Sequence, residues 1–405
     1  MSRGDVVVIG AGAAGTAAAI VAARAGARTT VVDGGTGAST LWTGAAHATD
    51  AVSAEARDVA VLLGVTVARS MLLPTSARPL VAHGHDAAIL DLDPLISARA
   101  AIAVVGCDRP QWDAELVAKW DGQSLFPLEA AMLRHVDERA LPDADFAARH
   151  DDPSRLGWLA DRLREALARS ERKPGALLLP PSLGVERSRA EELSKRVGVP
   201  CGEALGLPGG PPGLRFEAAR NRALASAGIH TARGRVTRIE PSGGKWRVTL
   251  AANGDGGLEA DAVVVAAGGL VGGGLEYQSS EWMLAAAMPP YSRAPFRCTI
   301  DGPLPLGSRG KPLELPGSLY GMAPESIAWP FASDPLMNRV GVPAASDGRV
   351  AQGLYVAGEL VADLPRTWLD ALESGIRAGV AAAREALSVT SPQSASASAA
   401  SATRP

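Results

Sequence analysis

The feature that most constrains this chain is a glycine-rich turn between a short apolar strand and an alanine-rich helix. Segment 5–15 reads DVVVIGAGAAG. Gly10 permits a tight turn, Gly12 allows a phosphate to approach the backbone, and Gly15 allows the helix to pack on the strand. The free N–H groups and the positive dipole end of that helix favour a bound anion. The segment therefore predicts a nucleotide-binding strand, turn and helix.

A second apolar strand, 29–33, ends at Asp33, eighteen residues after the last of these glycines. A carboxylate at this place is suited to bind the two hydroxyls of a ribose, and it would repel a 2′-phosphate. We therefore expect an unphosphorylated adenosine ribose beside Asp33. Ala13 and Ala14 in the turn, and Gly34 after the strand, are further predicted contacts of the nucleotide.

The loop over 34–44 is rich in glycine and in hydroxyl side chains, and it leaves directly from the end of the second strand. Ligands of open α/β sheets bind at this edge of the sheet. Thr40, Thr43 and Gly44 are therefore predicted cofactor contacts. A flexible connector without a ligand is the alternative interpretation of this loop.

Composition is that of a globular protein and gives no reason to expect a nucleic-acid partner. The chain has 405 residues, 47% of them hydrophobic and 20% charged, with a net charge of −3. Such a surface lacks the basic footprint that binds phosphodiester backbones. No segment reaches the roughly 18 apolar residues of a membrane-spanning helix, and the first strand begins too early to leave room for a signal peptide. We expect a cytoplasmic protein without direct membrane insertion, whose membrane association, if any, comes through a partner.

Cysteine usage is sparse. Cys107, Cys201 and Cys298 lie far apart and form no CxxC pattern. A disulfide framework is therefore not expected, and the chain alone is not predicted to hold an iron-sulfur cluster or another metal.

The rest of the chain predicts a sheet interrupted by insertions. From 51 to 215, short apolar runs alternate with charged helical stretches, which indicates an inserted α/β region. A helix over 217–227 and a β-hairpin with strands over 231–240 and 245–250 then lead to a buried strand that begins at 261 and ends in glycines. The predicted first domain is discontinuous and comprises 1–50, 216–275 and 350–388. The inserted substrate or interaction domain comprises 51–215 and 276–349. A disordered tail is predicted over 389–405.

The glycine turn, the strand that ends Ala266 to Gly269, and the segment Gly353 to Glu359 before a last helix together resemble the FAD-binding domain of flavoproteins. In its order of segments the chain up to its tail is similar to the B subunit of anaerobic glycerol-3-phosphate dehydrogenase. The further segments that carry this resemblance are 72–75, 103–106, 178–181, 212–215 and 272–274.

The resemblance implies an α/β fold with a Rossmann-like FAD-binding domain, a parallel sheet with a β-hairpin insertion, and an inserted α/β domain. FAD is expected rather than FMN, because the glycine turn and Asp33 suit an adenosine. About 230 residues separate the second strand from the strand at 263, whereas plain nicotinamide dehydrogenases place their strands in near succession. This spacing points away from NAD as the cofactor. The further contacts that the resemblance implies are Val236, Ala267, Gly268, Gly358, Glu359 and Gly375, the last at the start of the final helix.

In function, the resemblance implies a subunit that passes electrons from a small hydroxy substrate through flavin to an iron-sulfur partner and quinone, beside a second flavoprotein subunit. Segment 368–375 departs from the expected glycine-rich stretch, which leaves the substrate open. Two alternatives remain. One is a self-contained FAD oxidoreductase of the fumarate-reductase or amine-oxidase kind, and the other is a non-catalytic scaffold subunit.

Hydride transfer to a flavin needs a base for the substrate proton and cations for an anionic substrate. His47, which follows the loop on the flavin side, is the predicted base. Arg293, Arg297 and Arg366 are the predicted anion ligands, because arginine binds oxyanions in a bidentate way. An ordinary solvated or core side chain is the alternative for each of them.

Overall fold

The computed structural model describes residues 4–75, 78–121, 124–251, 257–269, 271–279, 296–300 and 341–390. The strands are β1 (Asp5–Ile9), β2 (Arg28–Asp33), β3 (Ala45–Ala46), β4 (Val65–Thr66), β5 (Ser70–Leu72), β6 (Leu80–Ala82), β7 (Gly84–Asp86), β8 (Ile102–Val105), β9 (Leu125–Leu128), β10 (Ala176–Leu179), β11 (Cys201–Glu203), β12 (His230–Arg233), β13 (Val236–Ser242), β14 (Lys245–Leu250), β15 (Gly257–Ala260), β16 (Ala262–Val265), β17 (Leu275–Ser279), β18 (Phe296–Ile300), β19 (Arg349–Ala351) and β20 (Leu354–Val356). The helices are α1 (Ala13–Arg24), α2 (Ala54–Leu62), α3 (Asp93–Ser97), α4 (Ala114–Ala118), α5 (Asp143–Arg149), α6 (Pro153–Arg169), α7 (Ala190–Val197), α8 (Pro211–Ser226) and α9 (Trp368–Thr390).

A six-stranded sheet forms the first layer, in the order β12-β2-β1-β16-β20-β19. All neighbouring pairs are parallel except β19 with β20. Apart from Asp5 at the start of β1, the central strands β1 and β16 are apolar and buried, as expected for a parallel sheet that is covered on both faces. Their carboxyl ends therefore meet at one edge of the sheet.

Helices cover one face of this sheet and a three-stranded antiparallel meander, β13 to β15, covers the other. On the helical side α1 and α9 pack very closely. A Cβ atom at Gly375 would lie 2.0 Å from the carbonyl oxygen of Ala14, and one at Gly379 would lie 2.4 Å from that of Ala18. Only glycine at these two positions allows the backbones to approach so closely.

The inserted region contains a second sheet, parallel throughout, in the order β11-β10-β8-β9. Its core is separate from the first and is built from these strands and from the apolar faces of α6 and α7. The predicted inserted domain thus contains its own sheet, while the domain boundaries stay predictions.

A buried charged cluster fixes the beginning of α8, the helix that runs from the inserted region into the first domain. Arg215 of α8 donates from Nε to Asp86 at 3.0 Å and from Nη2 to Glu203 at 2.7 Å, and it also donates to the carbonyl oxygen of Gly184 at 2.6 Å. The side chains of all three charged residues are at most 4% exposed. This cluster, Asp86, Glu203 and Arg215, connects β7, β11 and α8.

The sheet with a meander insertion agrees with the predicted fold, and one element was predicted wrongly. The sequence indicated one hairpin strand over 231–240, whereas the chain forms two strands there. β12 pairs in parallel with β2, and only from Val236 does the chain enter the meander. Gly234, whose φ is +151°, separates the two strands and lets the chain change direction.

Candidate functional site

A cavity of about 1140 Å³ opens at the carboxyl ends of the central strands, where ligands of such sheets bind. Its volume exceeds the usual 300–1,000 Å³ of small-molecule sites, so it can hold a dinucleotide. Much of its wall is bare backbone. The glycines that line it are Gly10, Gly12, Gly34, Gly35, Gly37, Gly234, Gly268, Gly272, Gly273 and Gly358.

The glycine turn closes one end of the cavity. Gly10 has a φ of +103°, and a Cβ atom there would lie 2.1 Å from the carbonyl oxygen of Ala266. A Cβ atom at Gly15 would lie 1.9 Å from the carbonyl oxygen of Gly10. The turn can therefore bring β1, α1 and β16 together only with glycine at both places.

The first turn of α1 faces the cavity through Gly12, Ala13 and Ala14. Gly12 is the N-cap and supplies no capping side chain. Instead the backbone N–H of Ala13 donates to Oγ of Ser39 at 3.1 Å. No acidic side chain lies in this turn, so its N–H groups and positive dipole end are suited to bind an anion.

The predicted ribose ligand, Asp33, lies at the edge of the cavity rather than in its lining. Its Oδ1 accepts from the N–H of Gly35 at 3.0 Å, and its Oδ2 lies 3.5 Å from Nη2 of Arg220. The neighbours Val32 and Gly34 do line the cavity. The carboxylate is thus held beside the site by a cation that the sequence analysis did not consider.

Polar side chains gather at the other end, where α9 begins. His47, Glu359 and Arg366 all line the cavity there. Nη1 of Arg366 donates to the carbonyl oxygen of Glu359 at 3.2 Å. Helix α9 begins at Trp368. The backbone N–H of the next residue, Leu369, donates to the carbonyl oxygen of His47 at 3.1 Å. A base, an acid and a cation are therefore placed beside the start of one helix.

The pKa of His47 is lowered from its ordinary value, first by partial burial of the ring and then by the neighbouring His83. The two rings meet edge to face, with centroids 6.1 Å apart. Nδ1 of His83 accepts from the N–H of Ala48 at 3.3 Å. A lowered pKa keeps His47 neutral near pH 7, and a neutral imidazole can accept a proton.

Two tryptophans form an aromatic wall between the ends of the cavity. The rings of Trp42 and Trp368 stack with centroids 5.4 Å apart, and Phe216 meets Trp368 edge to face at 6.1 Å. Nε1 of Trp42 donates to the carbonyl oxygen of Ala45 at 2.6 Å. Nε1 of Trp368 is buried and has no hydrogen-bond partner among the described residues. This wall supplies flat apolar surface to a planar ring.

The structure brings most of the predicted site residues to this cavity. Those that line it are Gly10, Gly12, Ala13, Ala14, Gly34, Thr40, His47, Val236, Ala267, Gly268, Gly358, Glu359 and Arg366. Gly15, Asp33, Thr43, Gly44 and Gly375 are not part of the lining. Of the other predicted anion ligands, Arg293 lies outside the described residues, and for Arg297 only its place in β18 is described.

Two of these differences have a clear physical reason. The last helix begins at Trp368, so Gly375 lies two turns inside α9, where it packs on Ala14 instead of facing the cavity. Gly44 has a φ of +107° and faces Ile89 and Pro212, away from the cavity. Both glycines serve packing and backbone direction.

Sequence reasoning missed Ser39, Trp42, Arg220, Arg235 and Trp368, which also line the cavity. Ser39 and Trp42 stand in the hydroxyl-rich loop that the sequence did single out. Arg220 could not be found in this way, because it lies on α8, 209 residues after the turn that it contacts.

In the described part of the chain, no helix is long and apolar enough to cross a membrane.

Residues 4–84, about a fifth of the 405 residues, match the family model of pyridine nucleotide-disulphide oxidoreductases. Among solved structures, the flavin-dependent brominase Bmp2 is 12% identical, with a TM-score of 0.33 over 97% of this chain and 80% of that chain. The peptidyl tryptophan dihydroxylase QhpG, essential for tryptophylquinone cofactor biogenesis, is 14% identical, with a TM-score of 0.32 over 94% and 67%. An oxidoreductase from Agrobacterium tumefaciens is 11% identical, with a TM-score of 0.25 over 95% and 98%.

No curated protein matches the chain. The family match over residues 4–84 and the topology of the six-stranded sheet agree with each other. Together they confirm the predicted fold class, a Rossmann-like dinucleotide-binding domain with a parallel sheet, and they support the predicted FAD.

Proposed function

We propose that the chain is an FAD-dependent oxidoreductase that binds FAD in the cavity at the carboxyl ends of β1, β2, β16 and β20. The observation that carries the proposal is the glycine-lined cradle at the start of α1, in a cavity large enough for a dinucleotide. A side chain at Gly12 would point toward Ser39, 3.3 Å from its Oγ, into the space that a pyrophosphate needs. The residues present therefore fit the cofactor.

The chain supplies binding groups at both ends of this cavity. The glycine turn lines the cavity and would hold the pyrophosphate through its backbone N–H groups, and Glu359 with the start of α9 lines the opposite end. When bound, FAD supplies the capacity to accept two electrons from a substrate and to pass them on. The stacked Trp42 and Trp368 exclude water from the wall between the two ends.

Two side chains can act on a substrate. Burial and the neighbouring His83 lower the pKa of His47, which favours the neutral ring, and a neutral imidazole can take the proton of a hydroxyl group. Arg366 is held beside Glu359 and can bind an anionic group of the substrate. A small hydroxy compound with a negative charge is the substrate class that this pair suits.

A finer proposal is that the chain is a subunit of a dehydrogenase similar to the anaerobic glycerol-3-phosphate enzyme, with a second flavoprotein and an iron-sulfur partner. Its support is the order of sequence segments, and its test is whether such subunits copurify with the chain from its own cells. Recovery of the chain alone, with flavin that a hydroxy substrate reduces directly, would favour the self-contained oxidoreductase instead.

The main test is the visible spectrum of the purified chain, followed by heat release and chromatography of the chromophore. The matched variants are Gly12→Val and Ala148→Val. Gly12 has β-region dihedral angles that valine adopts, so the first variant blocks the cavity without straining the backbone. Ala148 is exposed on α5 in the inserted region. FAD in the wild type and in Ala148→Val, but not in Gly12→Val, is expected. A folded wild type that takes up no flavin on reconstitution would refute the proposal and leave a scaffold role.

A further inference from the structure

Arg220 is a buried cation in the wall of the cavity, 209 residues after the residue of the glycine turn that it contacts. It lies on α8, and its side chain is 9% exposed. Arginine is rarely so buried unless it is paired. Because it lines the cavity beside the glycine turn, its charge lies at the end where the turn favours an anion.

The contacts of Arg220 hold the guanidinium without exhausting its donors. Nη1 donates to the carbonyl oxygen of Ala11 at 3.2 Å, and Nε donates to Oδ1 of Asn221 at 3.1 Å. Nη2 lies 3.5 Å from Oδ2 of Asp33. A guanidinium carries five N–H donors, so with respect to the described residues each terminal nitrogen retains one for a further acceptor. The group is both oriented and able to bind a ligand.

Electrostatics at this end favour a phosphate. The start of α1 supplies a partial positive charge of about half a unit, and a guanidinium in contact with the same turn adds a full charge. Asp33 offsets part of that charge, and it also accepts from Gly35. Arginine binds phosphate through two parallel hydrogen bonds, which suits the two remaining donors.

We propose that Arg220 binds the pyrophosphate of the cofactor, as a second ligand beside the glycine turn. This inference rests on the proposed function and extends it, because it assigns a nucleotide contact to the helix that returns from the inserted region. Asp33 is then a positioning residue for the guanidinium. The competing role for Arg220 is a structural brace between α8 and the glycine turn.

The test is isothermal titration calorimetry of the full chain, freed of flavin, with ADP and with adenosine as probes. Adenosine lacks both phosphates, so it reports only on the ribose and adenine contacts. Arg220→Met is expected to weaken ADP binding about 10- to 100-fold, the loss typical of a charge-assisted bidentate contact, and to change adenosine binding less than about threefold. Arg220→Lys keeps the positive charge but not the planar bidentate geometry, so its ADP affinity is expected to lie between those of the wild type and Arg220→Met.

Arg222→Met is the matched control, since Arg222 is exposed on the same helix and donates to the carbonyl oxygen of Glu186 at 2.8 Å. Should Arg220→Met not fold, Arg220→Gln takes its place, because an amide can still donate to Ala11. If Arg220→Met bound ADP within about threefold of the wild type, or lost as much affinity for adenosine as for ADP, the role of Arg220 would be overturned while the proposed function would stand. A wild type that binds neither ADP nor FAD would overturn the proposed function with it.

Discussion

The charged cluster of Asp86, Glu203 and Arg215 allows the sharpest prediction about how helix α8 is fixed to the inserted region. Removing the cation by Arg215→Met leaves two carboxylates without a counter-charge at a place that is almost closed to water. Breaking a buried pair in this way costs about 3–5 kcal/mol, because the remaining charge is neither solvated nor paired. The hydrogen bond to the carbonyl oxygen of Gly184 is lost as well.

The loss is expected to depend on pH. Burial already raises the pKa of Glu203, and Arg215 opposes that shift. Without Arg215 the pKa rises further above its unfolded value. Stability is then lost as the pH rises past the unfolded pKa, and it is regained as the pH falls and the carboxyl binds a proton. The destabilisation should therefore be larger at pH 7 than at pH 5.

The assay is urea-induced unfolding at both pH values, compared with Arg222→Met as an exposed control on the same helix. The triple variant Arg215→Met, Asp86→Asn, Glu203→Gln removes the charges together and should recover most of the lost free energy. The reasoning would be refuted if Arg215→Met cost less than about 1 kcal/mol, or if the triple variant were no more stable than the single one.

Three further predictions concern other sites. Gly375→Ala should lower the free energy of unfolding, measured by thermal unfolding, by about 1–3 kcal/mol or more, because its Cβ would lie 2.0 Å from the carbonyl oxygen of Ala14. The control Gly157→Ala on α6 should be neutral or stabilising. By NMR, His47 should titrate below 6.5, and His83→Gln should raise the midpoint only in part, since burial is the larger cause; a midpoint at or above 6.5 would contradict this. In a Cys298→Ser background, neither remaining thiol should react with a disulfide reagent at pH 8 until the chain is unfolded, because burial raises the pKa of Cys107 and of Cys201 to about 12.

Local sequence patterns predicted those parts of the site that depend on backbone geometry. Gly10, Gly12 and the apolar strand before them are contiguous, and their chemistry requires no knowledge of distant residues. The strand ending near Ala267 and the turn at Gly358 could be found for the same reason, because buried strands that end in glycine are visible in the sequence. All of these segments meet at one edge of the sheet.

The remainder depended on contacts between distant segments. Asp33 stands at the position predicted for a ribose ligand, yet its carboxylate lies 3.5 Å from Nη2 of Arg220. No residue near position 33 in the sequence indicates that partner. The packing role of Gly375 follows from the close approach of α9 to Ala14 of α1, which lies far away in the sequence. Trp42 and Trp368 form a wall only because α9 returns to the first loop after more than 320 residues.

Helix α8 links these observations physically. Arg215 and Arg220 are five residues apart, so they lie about 7.5 Å apart along the helix axis and point in different directions around it. One side chain is fixed by carboxylates of β7 and β11, while the other contacts the glycine turn through Ala11. A rigid helix transmits a displacement at one of these contacts to the other. The inserted region is therefore not merely appended to the nucleotide-binding sheet, because the helix that anchors it also carries part of the cavity wall.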